Sequence, residues 1–302
     1  MKTNNHEIFW DVARRLRLRS MLLADSDQRK PQVHDVAEAL CGVQAQDFRA
    51  ASLGVRVRSK GLTAGDFSDA LFKERSVVRT WLMRETIHVV PAADLGWMLS
   101  LFGPRNAAAS VKRAPGLGIG GDIGEKGIRV IQRMLNKTGT CTRIEISTAL
   151  GKAGIPNDPL NRVQMHLIRR AGSLGIICEV APKDGKQAFG LLDGWVKPGE
   201  IPGREEALEL LARRYLRAFQ PASEQDLSAW SGLSVTDSRT GLGRIGDEIL
   251  QVNIEGRPAW MFENDLPRHG QLTGPCCSGY CPPLTPLSSA IRTETSRYPL
   301  MS

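Results

Sequence analysis

The sequence predicts an α+β fold that is mainly α-helical, built from three tandem winged-helix domains of which the last is incomplete at its C-terminus. Three times along the chain, apolar residues at helical spacing are followed by two short runs rich in β-branched and aromatic residues. Helix-turn segments also repeat, because residues 145–151 and 226–232 align without gaps and residues 35–42 share their pattern with one extra residue. Helices followed by a hairpin form the winged variant of the helix-turn-helix.

The composition is that of a folded protein without a membrane span. The chain has 302 residues, enough for two or three domains, with 41% hydrophobic and 24% charged residues. It has no apolar run of about 18 residues or more, and its N-terminus has no signal-peptide core. A net charge of +8 and a pI of 9.4 favour a polyanionic partner without deciding which one. We expect a cytoplasmic, nucleoid-associated protein.

The first domain is predicted over residues 1–112. Its N-terminus is expected to open directly into an amphipathic helix with a basic face. Further helices are predicted before and after a corner at residues 42–46, followed by a hairpin that Pro91 ends and by another helix. The predicted helices span residues 7–23, 33–40, 66–72 and 92–101, and the predicted strands span residues 77–82 and 86–90.

A Gly- and Pro-rich segment without periodicity, residues 103–127, predicts a linker, which we place at residues 113–125. It contains a literal G-x-G-x-x-G at residues 116–121. That motif needs a preceding strand and a βαβ context to hold a pyrophosphate, and neither is predicted here. The chain has no C-x-x-C pair, and Cys41, Cys141 and Cys178 have the setting of core residues. No cofactor and no metal are expected.

The second and third domains are predicted over residues 126–200 and 201–265. Thr142 and Glu145 form a capping box, and Asn157 or Asp158 caps a third helix that commonly enters a groove in such folds. The second domain has predicted helices at residues 128–135 and 142–150, a stripe of Leu160, Val163, Leu167 and Ala171 on the third helix, and strands at residues 176–180 and 187–192. The third has helices at residues 205–219 and 224–230, and strands at residues 250–254 and 258–262.

The corner at residues 42–46 reads Gly-Val-Gln-Ala-Gln. Residues i and i+2 lie on the same side of an extended segment, so Gln44 and Gln46 should face one site if the helix ends near Gly42. With its flanks, residues 78–88 and residues 210–230, this corner resembles the AlkZ-like family of DNA glycosylases, which unhook interstrand crosslinks and excise alkylated purines. The resemblance covers residues 7–265. It implies three winged-helix domains around a concave basic surface, with Gln44 and Gln46 as the catalytic element.

The resemblance also implies a chemistry. A purine alkylated at N7 already carries positive charge, so its glycosidic bond breaks without a strong general acid, and neutral carboxamides can position the attacking water. Asp47 is expected to act first as a cap or in a salt bridge. Six residues are predicted to contact DNA: Arg79, Arg84, His88, Arg162, Arg169 and Arg170. A structural role is the competing interpretation for His88.

The predicted partner is double-stranded, damaged DNA, bound by a monomer. The alternative is a non-catalytic winged-helix regulator, which would bind selected sequences, usually as a dimer on a palindromic site.

The tail at residues 266–302 breaks the pattern. Cys276, Cys277 and Cys281 with His269 fit metal-ligand spacing poorly, and a disordered tail is the ordinary interpretation. We favour a third hypothesis. A one-base frame shift after back-translation of residues 281–294 permits a string that resembles the C-terminal segment of this family, so the gene would be frameshifted.

Overall fold

A computed structural model describes residues 2–24, 31–156, 160, 162–197 and 199–267 of the chain. After an N-terminal strand and helix, the first unit consists of a helix, a short strand, two helices and a hairpin, and a long helix leaves it. These elements are β1 (Lys2–Ile8), α1 (Trp10–Ser20), α2 (Val33–Ala39), β2 (Val43–Gln44), α3 (Phe48–Arg56), α4 (Ala64–Phe72), β3 (Val77–Trp81), β4 (Ile87–Pro91) and α5 (Leu95–Arg113).

The second and third units repeat this order of elements. The second contains α6 (Asp122–Thr138), β5 (Thr140–Thr142), α7 (Arg143–Lys152), α8 (Arg162–Ser173), β6 (Ile177–Lys183), β7 (Lys186–Leu191) and the short α9 (Leu192–Trp195). The third contains α10 (Arg204–Phe219), α11 (Glu224–Ser231), α12 (Val235–Arg244), β8 (Ile249–Ile254) and β9 (Arg257–Phe262). The predicted α+β, mainly helical fold class is confirmed, whereas the number and limits of winged-helix domains stay predictions.

Each unit carries one small sheet. The strand orders are β2-β4-β3, β5-β7-β6 and β1-β8-β9, and every pairing is antiparallel except that of β1 with β8. In the third unit, Ala222 bridges to Trp260 at the position where the other two units have a short strand. The predicted helix over residues 7–23 is therefore wrong in its bounds. The N-terminal segment forms a strand in the third sheet and then the shorter α1, and it does not belong to the first sheet.

The described residues up to Glu263, which make up the three units, form one compact body. One apolar core joins side chains of the first hairpin and α5 with the second hairpin and with α10 and α12. Trp81 of β3 lies in the core of the second unit, where its ring packs against Phe189 at 6.0 Å. Cys41, Cys141 and Cys178 are buried free thiols, as predicted. No helix in the described part of the chain is long and apolar enough to cross a membrane.

Two predicted boundaries are wrong because helices continue through glycine and proline. The segment predicted as a linker begins inside α5, which includes Pro104, and it ends inside α6, so only residues 114–121 connect the two helices. Gly103 is a close-approach position, since a Cβ there would lie 3.0 Å from the backbone oxygen of Ser173 on α8. Leu160, predicted to be in the apolar stripe of α8, precedes that helix and is exposed.

The capping box at Thr142 is present as predicted, whereas α12 was not predicted. The predicted caps Asn157 and Asp158, and residues 268–302 with the cysteine-rich segment and the frameshift hypothesis, lie outside the described residues.

Candidate active site

The corner at residues 42–46 is a sharp turn that leads from α2 into β2. Gly42 has φ of 101°, and a Cβ at this position would lie 3.0 Å from Cγ1 of Val90. Positive φ is costly for residues with a Cβ, so both the conformation and the space require glycine here. The Gly42 N–H donates to the oxygen of Ala37 at 2.8 Å and completes the end of the helix. The chain therefore leaves α2 abruptly and continues as an extended strand.

The extended backbone places both glutamines on one side, as predicted. Val43 and Ala45 are buried in the core of the first unit, and Gln44 and Gln46 between and after them are exposed. The Ala45 N–H donates to the oxygen of Ile87 at 2.8 Å, and the Ile87 N–H donates to Oε1 of Gln46 at 2.7 Å. The Gln46 carboxamide is thus tied to β4 through its oxygen, while its NH₂ group stays available as a donor.

Gln44 lies beside His88, its register partner on β4. His88 is 4% exposed, and its Nδ1 lies 3.0 Å from the oxygen of Thr86. Because a carbonyl only accepts, Nδ1 carries the ring proton and Nε2 is the acceptor. Burial lowers the pKa of His88 to about 4, with Arg84 adding to this effect, so the ring is neutral at pH 7. This burial contradicts the predicted contact with DNA and favours the structural interpretation.

Asp47 caps the helix that follows the corner. Its side chain accepts a hydrogen bond from the Ala50 N–H at 2.7 Å, which confirms the predicted capping role. The exposed side of α3 and of the residues just after it carries Arg49, Leu53, Arg56 and Val57. Sequence reasoning missed this surface, although the arginines were visible directly after the two glutamines.

Arg79 lies beneath the corner and is not at the surface. It is 4% exposed, and this burial contradicts its predicted contact with DNA. Its Nε and Nη2 donate to the oxygen of Ala45 at 3.0 and 2.7 Å, and Nη2 also lies 3.3 Å from the oxygen of Gln46. Its Nη1 forms an ion pair with Glu179 of β6. Burial raises the pKa of the Glu179 carboxyl, and Arg79 opposes that rise.

The tip of the first hairpin packs against other elements. Arg84 is exposed with φ of 52°, and its Nη1 lies 3.4 Å from the oxygen of Ala229 on α11. Glu85 accepts an ion-pair contact from Arg113 at the end of α5. These two contacts fix the tip of the hairpin against α11 and α5. Arg84 lies at the surface of the tip and remains a predicted DNA contact.

The predicted DNA contacts on α8 separate into two classes. Arg170 is 6% exposed and forms an ion pair with Glu125 of α6, so its predicted phosphate contact is wrong. Arg169 is half-buried and Arg162 is exposed, and both remain predicted contacts. The helix itself is largely enclosed, since nine of its residues are buried. In one contact with α5, Oγ of Ser110 lies 2.9 Å from Nε2 of His166. The helix therefore packs between units and does not project from the surface as a groove-binding helix would.

Other parts of the described chain offer little competing chemistry. No group of three or more His, Cys, Asp or Glu among the described residues is arranged to hold a metal. A cavity of about 440 Å³ lies between α5 and the start of α12, away from the glutamine corner, and an ion pair of Arg204 with Asp237 lies in its wall. The two glutamines themselves lie on open surface.

Comparisons with known proteins point to one family. The model of the DNA glycosylase AlkZ-like family matches residues 37–276. The chain is similar to the interstrand DNA cross-link repair glycosylase of Streptomyces sahachiroi, with 26% identity over 265 residues that cover 82% of this chain and 68% of that protein. Its fold is similar to the solved structure of Streptomyces sahachiroi DNA glycosylase AlkZ, with a TM-score of 0.70 and 24% identity, covering 85% of this chain and 71% of that one.

Proposed function

This chain belongs to the AlkZ-like DNA glycosylase family, as its sequence predicted, and from that premise we propose that Gln44 and Gln46 catalyse excision of alkylated bases. DNA glycosylases hydrolyse the N-glycosidic bond, so the chain is by family a DNA-binding hydrolase. The proposed substrate is double-stranded DNA that carries a cationic N7-type purine adduct or an interstrand crosslink. The protein would act as a monomer in the cytoplasm, at the nucleoid.

One observation carries the proposal. The alternation along β2 and the two residues after it places the Gln44 and Gln46 side chains on the same exposed side, and a hydrogen bond from Ile87 fixes the Gln46 oxygen. Two carboxamides on one side of a short segment that is hydrogen-bonded to β4 can hold a water molecule and a sugar in a defined relation. Preorganised positioning of this kind contributes several kcal/mol to catalysis.

The reaction needs neither a strong acid nor a strong base. An N7-alkylated purine leaves with the electron pair of the bond between C1′ and N9, and its positive charge is neutralised. The deoxyribose becomes oxocarbenium-like, the oxygen of a water bonds to C1′, and the displaced proton passes to solvent. Gln46 can donate from its NH₂ group and Gln44 can accept through its oxygen, so together they orient the water. A glutamine cannot remove a proton at neutral pH, so the proposed selectivity is for leaving groups that are already charged.

The local charge supports a cationic substrate. Burial keeps His88 neutral beside Gln44, and Glu179 balances the guanidinium of Arg79 beneath the corner. A protonated histidine or an unpaired arginine at either place would repel a cationic base and raise the energy of the oxocarbenium. The carboxylate of Asp47, directly after Gln46, has the favourable sign.

The proposed path of the duplex follows α3. Arg49 and Arg56 are exposed on the helix that begins directly after the catalytic corner, and the side chains of Leu53 and of Val57, the residue after the helix, are exposed as well. Arginines contact phosphates, and apolar side chains can contact deoxyribose. Arg84, Arg162 and Arg169 are further proposed contacts. Such a surface would contact the sugar-phosphate backbone of the duplex and would not discriminate between base sequences.

The test is release of N7-methylguanine from a labelled duplex under single-turnover conditions. Wild type should release the base, and Gln44→Ala and Gln46→Ala should lower the rate by about 100-fold or more, the size of effect that loss of one positioning group has in comparable sites. Gln225→Ala is the matched control, because Gln225 is an exposed glutamine on α11. Wild-type rates in both corner variants would refute the assignment. Binding without release from methylated or crosslinked duplexes would favour the non-catalytic regulator.

A further inference from the structure

Arg79 connects the catalytic corner to a different unit of the fold. Its guanidinium donates to the backbone oxygens of Ala45 and Gln46 on one side and forms an ion pair with Glu179 on the other. Ala45 separates the two glutamines, so Arg79 binds the backbone at the point that sets their spacing. Glu179 lies on β6 in the hairpin of the second unit, 100 positions away in sequence.

The burial of this pair makes its geometry rigid. Glu179 is 8% exposed and also accepts a hydrogen bond from Nε2 of Gln187 at 2.5 Å. A buried charge without a partner costs several kcal/mol, so neither member can leave the other without a large penalty. The planar fork of a guanidinium fixes several acceptors at once, which a lysine ammonium on a flexible stem does not. The chain uses arginine where one donor group must hold two carbonyls and one carboxylate.

We propose that Arg79, held by Glu179, is a positioning residue that sets the relative placement of the Gln44 and Gln46 carboxamides. The inference rests on the proposed function of those two glutamines. Arg79 touches neither water nor sugar in this scheme and acts through the carbonyls of residues 45 and 46. The second unit thereby contributes to a site whose reacting groups all lie on the first.

Two variants and one control test the proposal. Arg79→Lys keeps the positive charge but loses the fork, and Glu179→Gln keeps an acceptor for Arg79 but loses the charge. The control is Glu38→Gln, which removes the Arg214 ion pair between α10 and α2, a contact between units that does not involve the corner. The measurements are the free energy of unfolding in urea, the Kd for a lesion duplex, and the single-turnover rate of base release.

Arg79→Lys should lower the single-turnover rate by about 10- to 100-fold, because a shift of about 1 Å in a catalytic group has that effect. Its Kd should stay within about 2-fold of wild type, since Arg79 is buried beneath the strand. Glu179→Gln should also lower the single-turnover rate, but by a smaller factor than Arg79→Lys does. Glu38→Gln should leave both the rate and the Kd unchanged. A wild-type rate in Arg79→Lys overturns the proposal. So does a decrease in rate that is fully explained by a smaller fraction of folded protein.

Hydrogen exchange separates failure of this inference from failure of the proposed function. The Ala45 N–H donates to the backbone oxygen of Ile87 on β4, and the Ile87 N–H donates to Oε1 of Gln46. Arg79→Lys should speed their exchange by 10-fold or more relative to wild type, whereas Glu38→Gln should not. If exchange is faster in Arg79→Lys but the wild-type protein releases no base, Arg79 still positions the backbone of residues 45 and 46, and catalysis by the two glutamines is refuted. Unchanged exchange would refute the positioning role whatever the activity, and Glu179→Gln supplies the same measurement if Arg79→Lys does not fold.

Discussion

Substitution of Gly172 by alanine should destabilise the protein, against the usual helix preference. Gly172 lies in α8, and a Cβ there would lie 2.2 Å from Cε3 and 2.9 Å from Cζ3 of Trp81. Carbon atoms in contact are about 3.5 to 4.0 Å apart, so the ring must move. Trp81 is buried and packs against Phe189, so it cannot turn into solvent. Overpacking of this severity costs up to about 3 kcal/mol, and alanine regains about 1 kcal/mol of helix propensity, which leaves a net loss of about 2 kcal/mol.

Urea unfolding measures this loss, and Gly151→Ala is the matched control. Gly151 lies in α7 and is exposed, and a Cβ there would have no neighbouring atom within 4 Å, so alanine should gain about 0.5 to 1 kcal/mol. The two variants should therefore differ by roughly 3 kcal/mol in the free energy of unfolding, at equal m-values. If Gly172→Ala is as stable as wild type, then α8 does not pack against β3 as described. That result would also remove the argument that α8 is enclosed between units.

Three further outcomes are expected. Burial lowers the pKa of His88 and of His166 to about 4, so the unfolded chain takes up protons between pH 6.5 and 4 that the folded chain does not. The free energy of unfolding should therefore fall as the pH falls from 6.5 towards 4, by at most about 1.4 kcal/mol per pH unit for each histidine. His88→Gln should reduce that slope in urea titrations, and an unchanged slope would contradict the neutral, buried ring. The double variant Arg49→Ala and Arg56→Ala should weaken duplex binding and reduce the salt slope by about 2, and an unchanged slope would place the duplex elsewhere. Thr142→Ala should cost about 1 kcal/mol in urea unfolding through loss of the α7 capping box, whereas Thr142→Ser should not, and equal losses would mean that the cap is not the cause.

What the sequence could predict depends on the range of the interactions. The extended corner follows from the position of Gly42 and from the two-residue spacing that comes after it, and the capping box of Thr142 spans three residues; both are local. The burial of Arg79 and Arg170 is not local, because their partners lie 100 and 45 positions away. An arginine has the same appearance in sequence whether it contacts phosphate or a buried carboxylate. Only the fold distinguishes the two.

The missed boundaries have a similar origin. The pairing of β1 with β8 joins the two ends of the described chain, and no local pattern in the polar residues of β1 predicts a strand. Gly103 and Pro104 are ordinary signals for a loop, yet they lie inside α5. Gly103 permits the close approach of α8, so glycine is used there for helix packing and not to end a helix.

The third helices of the first two units bear on the choice between enzyme and regulator. A winged-helix regulator reads base edges with its third helix, which must be exposed and must carry donors. In the second unit that helix is α8, and nine of its residues are buried against neighbouring elements. In the first unit it is α4, whose first turn carries the exposed carboxylate of Asp66 and whose Asp69 pairs with Lys73. Two exposed arginines, Arg49 and Arg56, lie on α3 beside the two glutamines. Contacts from that helix would hold the duplex by its backbone, as broad searching for damaged bases requires, and would place the damaged strand next to β2.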